Sequence, residues 1–339
     1  MAEDSYFFAE NFDCMEQVQI PLNQLWPSSD RFLLAGLLSA GSRADFGYNL
    51  CLWLTILVPT VFFFVLPAPI VWIDVSPAIV AIVAGLVIIT IGLFLIVSDG
   101  DPGFIPRKDI QILLNIQDDV RRVLGVPVPE LASPEKVYLR RDGRTLQIEN
   151  MFNDETLITE EMRIQGYKYC TTCRIVRPPR ASHCSDCGHC CLRHDHHCPF
   201  IRNCVGQRNY LSFVSFVISA IALGVMILFS IILWVADGNS PSLSSPIVVI
   251  VVGCVVGLPV AAMLLFGIVF FSYHIYLSST GQTTREHLRG RGFGQDLSST
   301  SAHPSLFATS MFSSRPPRLY PALRTRVKVL MQVSNPVTV

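Results

Sequence analysis

The protein has 339 residues, of which half are hydrophobic and only 15% are charged, and its formal net charge is zero. A soluble domain usually carries about a quarter of charged residues, so this composition is not that of an ordinary soluble protein. The balanced charge argues against a protein that binds nucleic acid. The hydrophobic residues are concentrated in runs long enough to cross a bilayer, which predicts an α-helical integral membrane protein.

Residues 1–47 are polar to mixed and predict an N-terminal segment outside the bilayer. The acidic start has neither the basic region nor the apolar region of a secretory signal, so we expect no cleaved signal peptide. Two apolar runs follow, at about 48–68 and 77–97. Each has roughly twenty residues, enough to cross the hydrocarbon core, and together they predict transmembrane helices 1 and 2 within 48–97.

Residues 98–169 predict the first part of a long polar loop, which opens with the turn sequence Asp101-Pro102-Gly103. Apolar residues recur at helical intervals from Ile110 to Leu124, with charges between them, and predict one amphipathic helix that lies on the membrane or on the domain. The stretch 137–148 has Asp142-Gly143 near its centre and predicts a β-hairpin.

The region 170–210 is rich in cysteine and histidine. Eight of the eleven cysteines and five of the eight histidines lie between positions 170 and 204. Such density indicates either disulfides or metal, and two Cys-x2-Cys pairs, Cys170/Cys173 and Cys184/Cys187, favour zinc because this spacing turns both sulfurs towards one ion. Two tetrahedral zinc ions need eight ligands, and the segment has more thiols and imidazoles than that.

The run Asp195-His196-His197-Cys198 places an acid, two imidazoles and a thiol within four residues. A thiol next to a histidine is readily deprotonated, and the thiolate is the nucleophile. An aspartate beside a histidine fixes its tautomer and stabilises its charged form. The region therefore predicts a zinc-built scaffold that carries a nucleophile.

Two further apolar runs, at about 211–235 and 247–271 with a continuation towards 277, predict transmembrane helices 3 and 4 within 211–277. None of the four runs contains Asp, Glu, Lys or Arg, which argues against an ion-coupled transporter. The tail at 278–339 is rich in Ser and Pro beyond Glu286, and we expect it to be partly disordered.

The basic residues predict the orientation of the helices. The short loops 69–76 and 236–246 contain no Lys or Arg, and all 26 basic residues lie in the N-terminal segment, the central loop or the tail. By the positive-inside rule, both termini and the cysteine-rich region face the cytosol, where thiols stay reduced and disulfides are not favoured.

The chain resembles the DHHC family of protein S-acyltransferases, or palmitoyltransferases. The resemblance includes four transmembrane helices with a two-zinc domain between helices 2 and 3, Asp101-Pro102-Gly103 and Thr283-Thr284-Arg285-Glu286. One departure is Phe200, where the family usually has tryptophan. The matching residues of the cysteine-rich region are Cys170, Cys173, Arg177, Pro178, Arg180, His183, Cys184, Cys187, Cys190, Asp195, His196, His197, Cys198, Pro199, Asn203, Cys204, Val205, Gly206, Asn209, Tyr210 and Phe213.

The resemblance implies a role for each matching position. Asp195 and His196 would activate Cys198, which would carry the acyl group, and Thr284 would support Asp195. Thr283 could equally begin a capping box with Glu286, whatever Thr284 does. Each zinc would be structural. One would take Cys170, Cys173, His183 and Cys190, and the other Cys184, Cys187, His197 and Cys204.

The implied reaction is transfer of a fatty acyl group from palmitoyl-CoA, through acyl-Cys198, to cysteines of proteins at the bilayer. Arg177, Arg180 and Arg202 are candidates to bind the coenzyme A phosphates, although each could equally be ordinary surface charge. The family is found in the endoplasmic reticulum, the Golgi and the plasma membrane.

Two other interpretations fit part of the sequence. A non-catalytic membrane scaffold could use the same zinc domain, although Asp195, His196 and Cys198 would then lack a purpose. A membrane-bound zinc-finger ubiquitin ligase would also pair zinc with transmembrane helices, but without the Asp-His-His-Cys run. Neither accounts for the sequence as well as an acyltransferase does.

Overall fold

The computed structural model describes residues 15–27, 31–33, 38–41, 44–131, 133–140, 142–237, 245–290 and 316–332. The chain divides into two compact units. The sheet unit comprises residues 1–40, 103–193 and 317–339, and the helical unit comprises residues 41–102 and 194–316.

The described elements alternate between short strands and helices of very different length. The helices are α1 (Leu22–Leu25), α2 (Phe46–Val65), α3 (Pro67–Ile70), α4 (Pro77–Asp99), α5 (Lys108–Leu113), α6 (Gln117–Leu124), α7 (Glu160–Ile164), α8 (Tyr210–Asp237), α9 (Pro246–Val252), α10 (Leu258–Ser279) and α11 (Thr284–Leu288). The strands are β1 (Met15–Pro21), β2 (Arg31–Leu33), β3 (Leu38–Gly41), β4 (Phe104–Ile105), β5 (Lys136–Leu139), β6 (Leu146–Glu149), β7 (Lys168–Cys170), β8 (Ile175–Arg177), β9 (Ser182–Cys184), β10 (His189–Cys191), β11 (His196–Cys198), β12 (Asn203–Val205) and β13 (Arg326–Gln332). Single π-helical turns lie at Val71–Val75 and Gly253–Gly257, and a 3₁₀ turn lies at Asp154–Leu157.

The helical unit contains four helices long and apolar enough to cross a membrane, at Phe46–Val65, Pro77–Asp99, Tyr210–Ala236 and Pro246–Ser279. The four predicted transmembrane helices are thus confirmed. The fourth is continuous from α9 to α10 through the π-helical turn, which the sequence did not predict. This arrangement fits a multi-pass membrane protein.

Two apolar clusters hold these helices together. One is built on fully buried Phe63, Val83, Trp234 and Val256. The other contains Cys198 and the aromatic side chains of Phe94, Tyr210, Phe213 and Phe216. The second cluster therefore brings the predicted nucleophile into the apolar interior of the helical unit.

The sheet unit is built on a four-stranded sheet in the order β1-β13-β5-β6. The predicted hairpin is confirmed, since β5 and β6 pair antiparallel and Asp142 accepts hydrogen bonds from the backbone of Arg144 and Thr145 at the turn. The sequence did not predict that β13 pairs antiparallel with β1 and parallel with β5.

The predicted single helix from Ile110 to Leu124 is wrong, because the chain forms α5 and α6 with a break between them. Asn115 lies in the break with φ 52°, a left-handed conformation that asparagine tolerates better than most residues. The apolar face is real: Ile110, Val120 and Leu124 are all buried within the protein.

A buried cluster of charges lies beside these helices. Lys108 Nζ is 2.9 Å from Glu135 Oε1 and 2.6 Å from Asp154 Oδ1, and Arg121 is 2.8 Å from the same Asp154 oxygen. Buried charges need such partners to offset their lost hydration. Since the backbone amide of Lys108 also donates to the carbonyl of Cys173, the cluster anchors the turn between Cys170 and Cys173.

Candidate active site and metal centres

The first candidate metal centre is assembled from two antiparallel hairpins of three-residue strands. Cys170 ends β7, and Cys173 lies in the turn that leads to β8, where its amide donates to the Cys170 sulfur at 3.4 Å. The register of β9 and β10 places His183 opposite Cys190. His183 Nδ1 is 3.3 Å from Cys173 Sγ and 3.8 Å from Cys190 Sγ, so three thiols and one imidazole converge on one point.

The second group consists of Cys184, Cys187, His197 and Cys204. The amide of Cys187 donates to Cys184 Sγ at 3.5 Å, just as the amide of Cys173 donates to Cys170 Sγ. His197 and Cys204 face each other across β11 and β12, with Nδ1 and Sγ 3.8 Å apart.

In each group the ligand atoms lie within 4.8 Å of one another, and both groups could hold a metal ion. Three sulfur atoms and one nitrogen form a donor set that suits tetrahedral zinc. None of the ten described cysteines forms a disulfide, which supports metal binding.

The predicted catalytic side chains come together at the start of β11. Asp195 is held by a backbone hydrogen bond from its amide to the carbonyl of Val205 and is 1% exposed. Its Oδ2 lies 2.6 Å from His196 Nδ1. His196 in turn forms a side-chain hydrogen bond with Cys198. The Cys198 sulfur also accepts hydrogen bonds from the backbone amides of Phe200 and Ile201.

The electrostatics of this cluster favour an imidazolium and a thiolate. Burial would lower the pKa of His196, but hydrogen bonds to Asp195 and Cys198 raise that pKa to about 10. Burial would raise the pKa of the Cys198 thiol, but its hydrogen bond to His196 and the two amides leave that pKa below its ordinary value. The pKa of Asp195 is also lowered, because its bonds to His196 and Thr284 outweigh burial. A thiolate held beside an imidazolium is a nucleophile that needs no further deprotonation.

Thr284 contacts the same aspartate from the start of α11. Its amide donates to Asp195 Oδ1 and its hydroxyl to Asp195 Oδ2, both at 2.8 Å. Thr283 and Glu286 also form the expected capping box, so the two interpretations of the Thr-Thr-x-Glu motif hold at once. The cap orients the helix that presents Thr284 to the aspartate.

The loop after Cys198 is fixed to the end of α4. The side-chain amide of Asn203 donates to the carbonyls of Val97, Ser98 and Gly100 at that end, where the last carbonyls of a helix need partners from outside it. Arg208 forms an ion pair of 3.0 Å with Asp101, so the Asp-Pro-Gly turn also has a tertiary contact.

The three arginines predicted to bind phosphate lie at the end of a strand or in the links between strands. Arg177 ends β8, while Arg180 and Arg202 adopt left-handed backbone conformations with φ 67° and 55°. Their role towards coenzyme A stays a prediction.

Three polar residues near this cluster were missed by the sequence analysis. His274 in α10 is buried, lies 3.2 Å from the Tyr210 hydroxyl through Nδ1, and has its ring centre 6.2 Å from that of His196. Asp45 and Asn49 lie at the start of α2 and contact the segment around Cys198. The sequence gives only weak signals for these residues: a single histidine within one apolar run, and two polar residues at the start of another apolar run.

Comparison with known proteins identifies a family for this part of the chain. Residues 163–291 match the family model described as DHHC palmitoyltransferase. These residues belong to the DHHC family. The DHHC domain contains the metal groups, the Asp195–Cys198 run and Thr284, and the resemblance stated from the sequence is confirmed.

Relatives from fungi, animals and plants extend the similarity beyond this domain. The chain is 32% identical to Palmitoyltransferase ERF2 of Kluyveromyces lactis over 251 residues, covering 72% of this chain and 61% of that protein. It is 31% identical to human Palmitoyltransferase ZDHHC14 over 281 residues, covering 79% and 51%. It is 32% identical to Protein S-acyltransferase 8 of Arabidopsis thaliana over 297 residues, covering 79% and 63%. The chain thus spans between half and just under two thirds of the length of these relatives.

Proposed function

We propose that the protein is a protein S-palmitoyltransferase that uses palmitoyl-CoA as acyl donor and Cys198 as acyl carrier. The observation that carries the proposal is the hydrogen-bonded series Asp195–His196–Cys198, in which the sulfur lies in an apolar cluster of the helical unit. The named activity of the relatives supports the same reaction.

In the first step the Cys198 thiolate attacks the thioester carbonyl carbon of palmitoyl-CoA. The new bond joins that carbon to the Cys198 sulfur, and the bond to the coenzyme A sulfur breaks. The His196 imidazolium gives its proton to the leaving thiolate and becomes neutral. Asp195 keeps the proton-bearing Nδ1 of His196 in place, so that Nε2 faces the reacting atoms.

In the second step a cysteine of the acceptor protein replaces coenzyme A. Neutral His196 takes the proton of the acceptor thiol, whose sulfur attacks the acyl carbon. The bond between that carbon and Cys198 breaks, and the imidazolium and thiolate are restored. The atoms and charges of the enzyme are then those with which the cycle began.

The surroundings of Cys198 suit a long acyl chain. Phe94, Phe213 and Phe216 lie in its cluster, with partly buried Trp53 and Phe270 packed against them. Burial of an aliphatic chain among these side chains contributes about 0.8 kcal/mol per methylene group. The thioester end of the same molecule would meet the thiolate at the edge of this cluster.

The remaining parts of the proposal concern the metal, the phosphates and the topology. Each Cys₃His group would supply all four ligands of a tetrahedral zinc ion, so zinc would stabilise the fold and leave no position open for water. Arg177, Arg180 and Arg202 would bind coenzyme A phosphates. The distribution of Lys and Arg supports a cytosolic active site, with substrates whose cysteines lie near the membrane.

Acyl transfer tests this function directly. Purified zinc-loaded protein is incubated with alkyne-tagged palmitoyl-CoA and then chased with a membrane-anchored peptide that has one cysteine. We expect a hydroxylamine-sensitive label on the protein that moves to the peptide, as a thioester intermediate requires. A folded, zinc-loaded protein that acquires no label would contradict the proposal and favour a scaffold.

Replacing Thr284 by valine is expected to slow formation of the acyl-enzyme. The substitution removes the hydroxyl donor to Asp195 Oδ2 but keeps the backbone donor to Oδ1. Hydrogen bonds to a charged group contribute about 1.5–3 kcal/mol, which corresponds to roughly 10- to 100-fold in rate. Single-turnover labelling measures the effect. Thr284→Ser should restore the rate, and Thr280→Val, whose hydroxyl bonds only to carbonyls of α10, should leave it unchanged. A wild-type rate in Thr284→Val would disprove the supporting role.

A further inference from the structure

The first turn of α2 has polar side chains that the proposed reaction does not use. Asp45 is 7% exposed and Asn49 is 9% exposed, at the start of a helix that is otherwise apolar. Burying such groups next to a bilayer is costly unless they have hydrogen-bond partners. Their partners are on either side of Cys198.

Asn49 holds a peptide group that contacts the nucleophile. Its Nδ2 donates to the carbonyl oxygen of Phe200 at 2.7 Å. That carbonyl and the N–H of Ile201 belong to the same peptide unit, and the N–H donates to the Cys198 sulfur. A donor on the carbonyl side fixes the plane of the peptide unit and strengthens its N–H as a donor, because linked hydrogen bonds polarise each other.

Asp45 holds a histidine that is a proposed metal ligand. Its Oδ2 is 3.0 Å from His197 Nε2, while His197 Nδ1 points towards Cys204 Sγ. A histidine that binds zinc through Nδ1 has a proton on Nε2, which it donates to the carboxylate. Partners of this kind fix the tautomer and ring orientation of metal ligands.

Asp45 is not simply a helix cap. It occupies the N-cap position of α2, where an aspartate usually accepts a bond from the second or third amide of the helix, yet its side chain makes no such bond. Tyr48 adds an edge-to-face contact with the Phe200 ring, with centroids 5.8 Å apart. Positions 45, 48 and 49 lie on one helix face, which is therefore directed at the segment from His197 to Phe200.

We propose that the first turn of α2 positions the nucleophile: Asn49 directs the Phe200–Ile201 peptide unit towards the Cys198 sulfur, and Asp45 orients His197 as a metal ligand. Asp45 and Asn49 are positioning residues, since neither touches the acyl group. The inference deepens the proposed function, because the purpose of the arrangement rests on Cys198 as acyl carrier.

The test uses the full-length protein and two measurements that need no acyl donor. One is the release of zinc to a chromogenic chelator. The other is the alkylation rate of Cys198 by iodoacetamide at fixed pH, located by peptide mass spectrometry. Asp45→Ala is expected to weaken zinc retention by about 10- to 100-fold, as loss of a partner of a metal ligand typically does. Asp45→Asn should retain zinc better than Asp45→Ala does, because its amide oxygen can still accept the hydrogen bond from His197 Nε2.

Asn49→Ala is expected to keep its zinc and to slow both alkylation and acylation of Cys198 by roughly tenfold, since the sulfur loses one well-directed donor. Asn49→Asp, which cannot donate to the carbonyl, should be at least as slow. Leu50→Ala is the matched control, because Leu50 lies in the same turn and is exposed. The inference is overturned if both alanine variants match Leu50→Ala in both measurements. If the alanine variants differ from Leu50→Ala in this way but the wild-type protein accepts no acyl group, the proposed function fails and the positioning role stands.

Discussion

Replacing Cys198 by serine is expected to reduce hydroxylamine-sensitive acylation by at least about a thousandfold, as loss of a nucleophile does in enzymes that act through covalent intermediates. The hydroxyl of serine is far less acidic than a thiol, so His196 and the amides of Phe200 and Ile201 cannot hold it as an anion. In-gel fluorescence after coupling of a dye to the alkyne measures the remaining label. Since Cys198 is not in either metal group, the variant should retain full zinc content.

Cys191→Ala is the matched control for this experiment. Cys191 lies in the same cysteine-rich region, is fully buried and belongs to neither metal group. We expect it to be labelled as the wild type is. Equal label in Cys198→Ser and the wild type would contradict the assigned nucleophile, and loss of label in a zinc-loaded Cys191→Ala protein would move that assignment to Cys191.

Local spacing predicted some parts of the site and not others. The Cys-x2-Cys pairs could be recognised alone, because two thiols at this spacing must lie near each other. The division of the ligands into interleaved groups came only from the family resemblance. It depends on the hairpin of β9 and β10, which brings Cys190 back to Cys170 and Cys173, and spacing does not specify that pairing.

The transmembrane helices were predictable because each requires a continuous apolar run, which is a local property of the sequence. The pairing of β1 with β13 was not, since it joins segments about three hundred residues apart and short strands carry little signal. The single helix predicted over α5 and α6 failed because hydrophobic periodicity continues across the left-handed Asn115. Asp45 and Asn49 were missed for a related reason: a polar residue at the end of an apolar run is ordinary, and only its tertiary partner distinguishes it.

Removing a ligand of the first metal centre is expected to unfold the cysteine-rich part of the sheet unit. Its hairpins have strands of only three residues, and Cys170, Cys173, His183 and Cys190 join them at one point. Zinc binding supplies about 10–16 kcal/mol in small domains of this kind, far more than a few short strands contribute. Cys173→Ser should therefore lose about one of two zinc ions per chain and become sensitive to proteases between residues 170 and 193.

Metal analysis by mass spectrometry and limited proteolysis measure these two effects. Cys254→Ser, at an exposed cysteine in the π-helical turn of the fourth transmembrane helix, is the control and should change neither. Helical circular dichroism should persist in both variants, because the cluster around Phe63 and Trp234 contains no metal ligand. Wild-type zinc content in Cys173→Ser would contradict the first metal centre. A variant that loses zinc and resists proteolysis would show that the hairpins fold without it, and would leave zinc no structural role there.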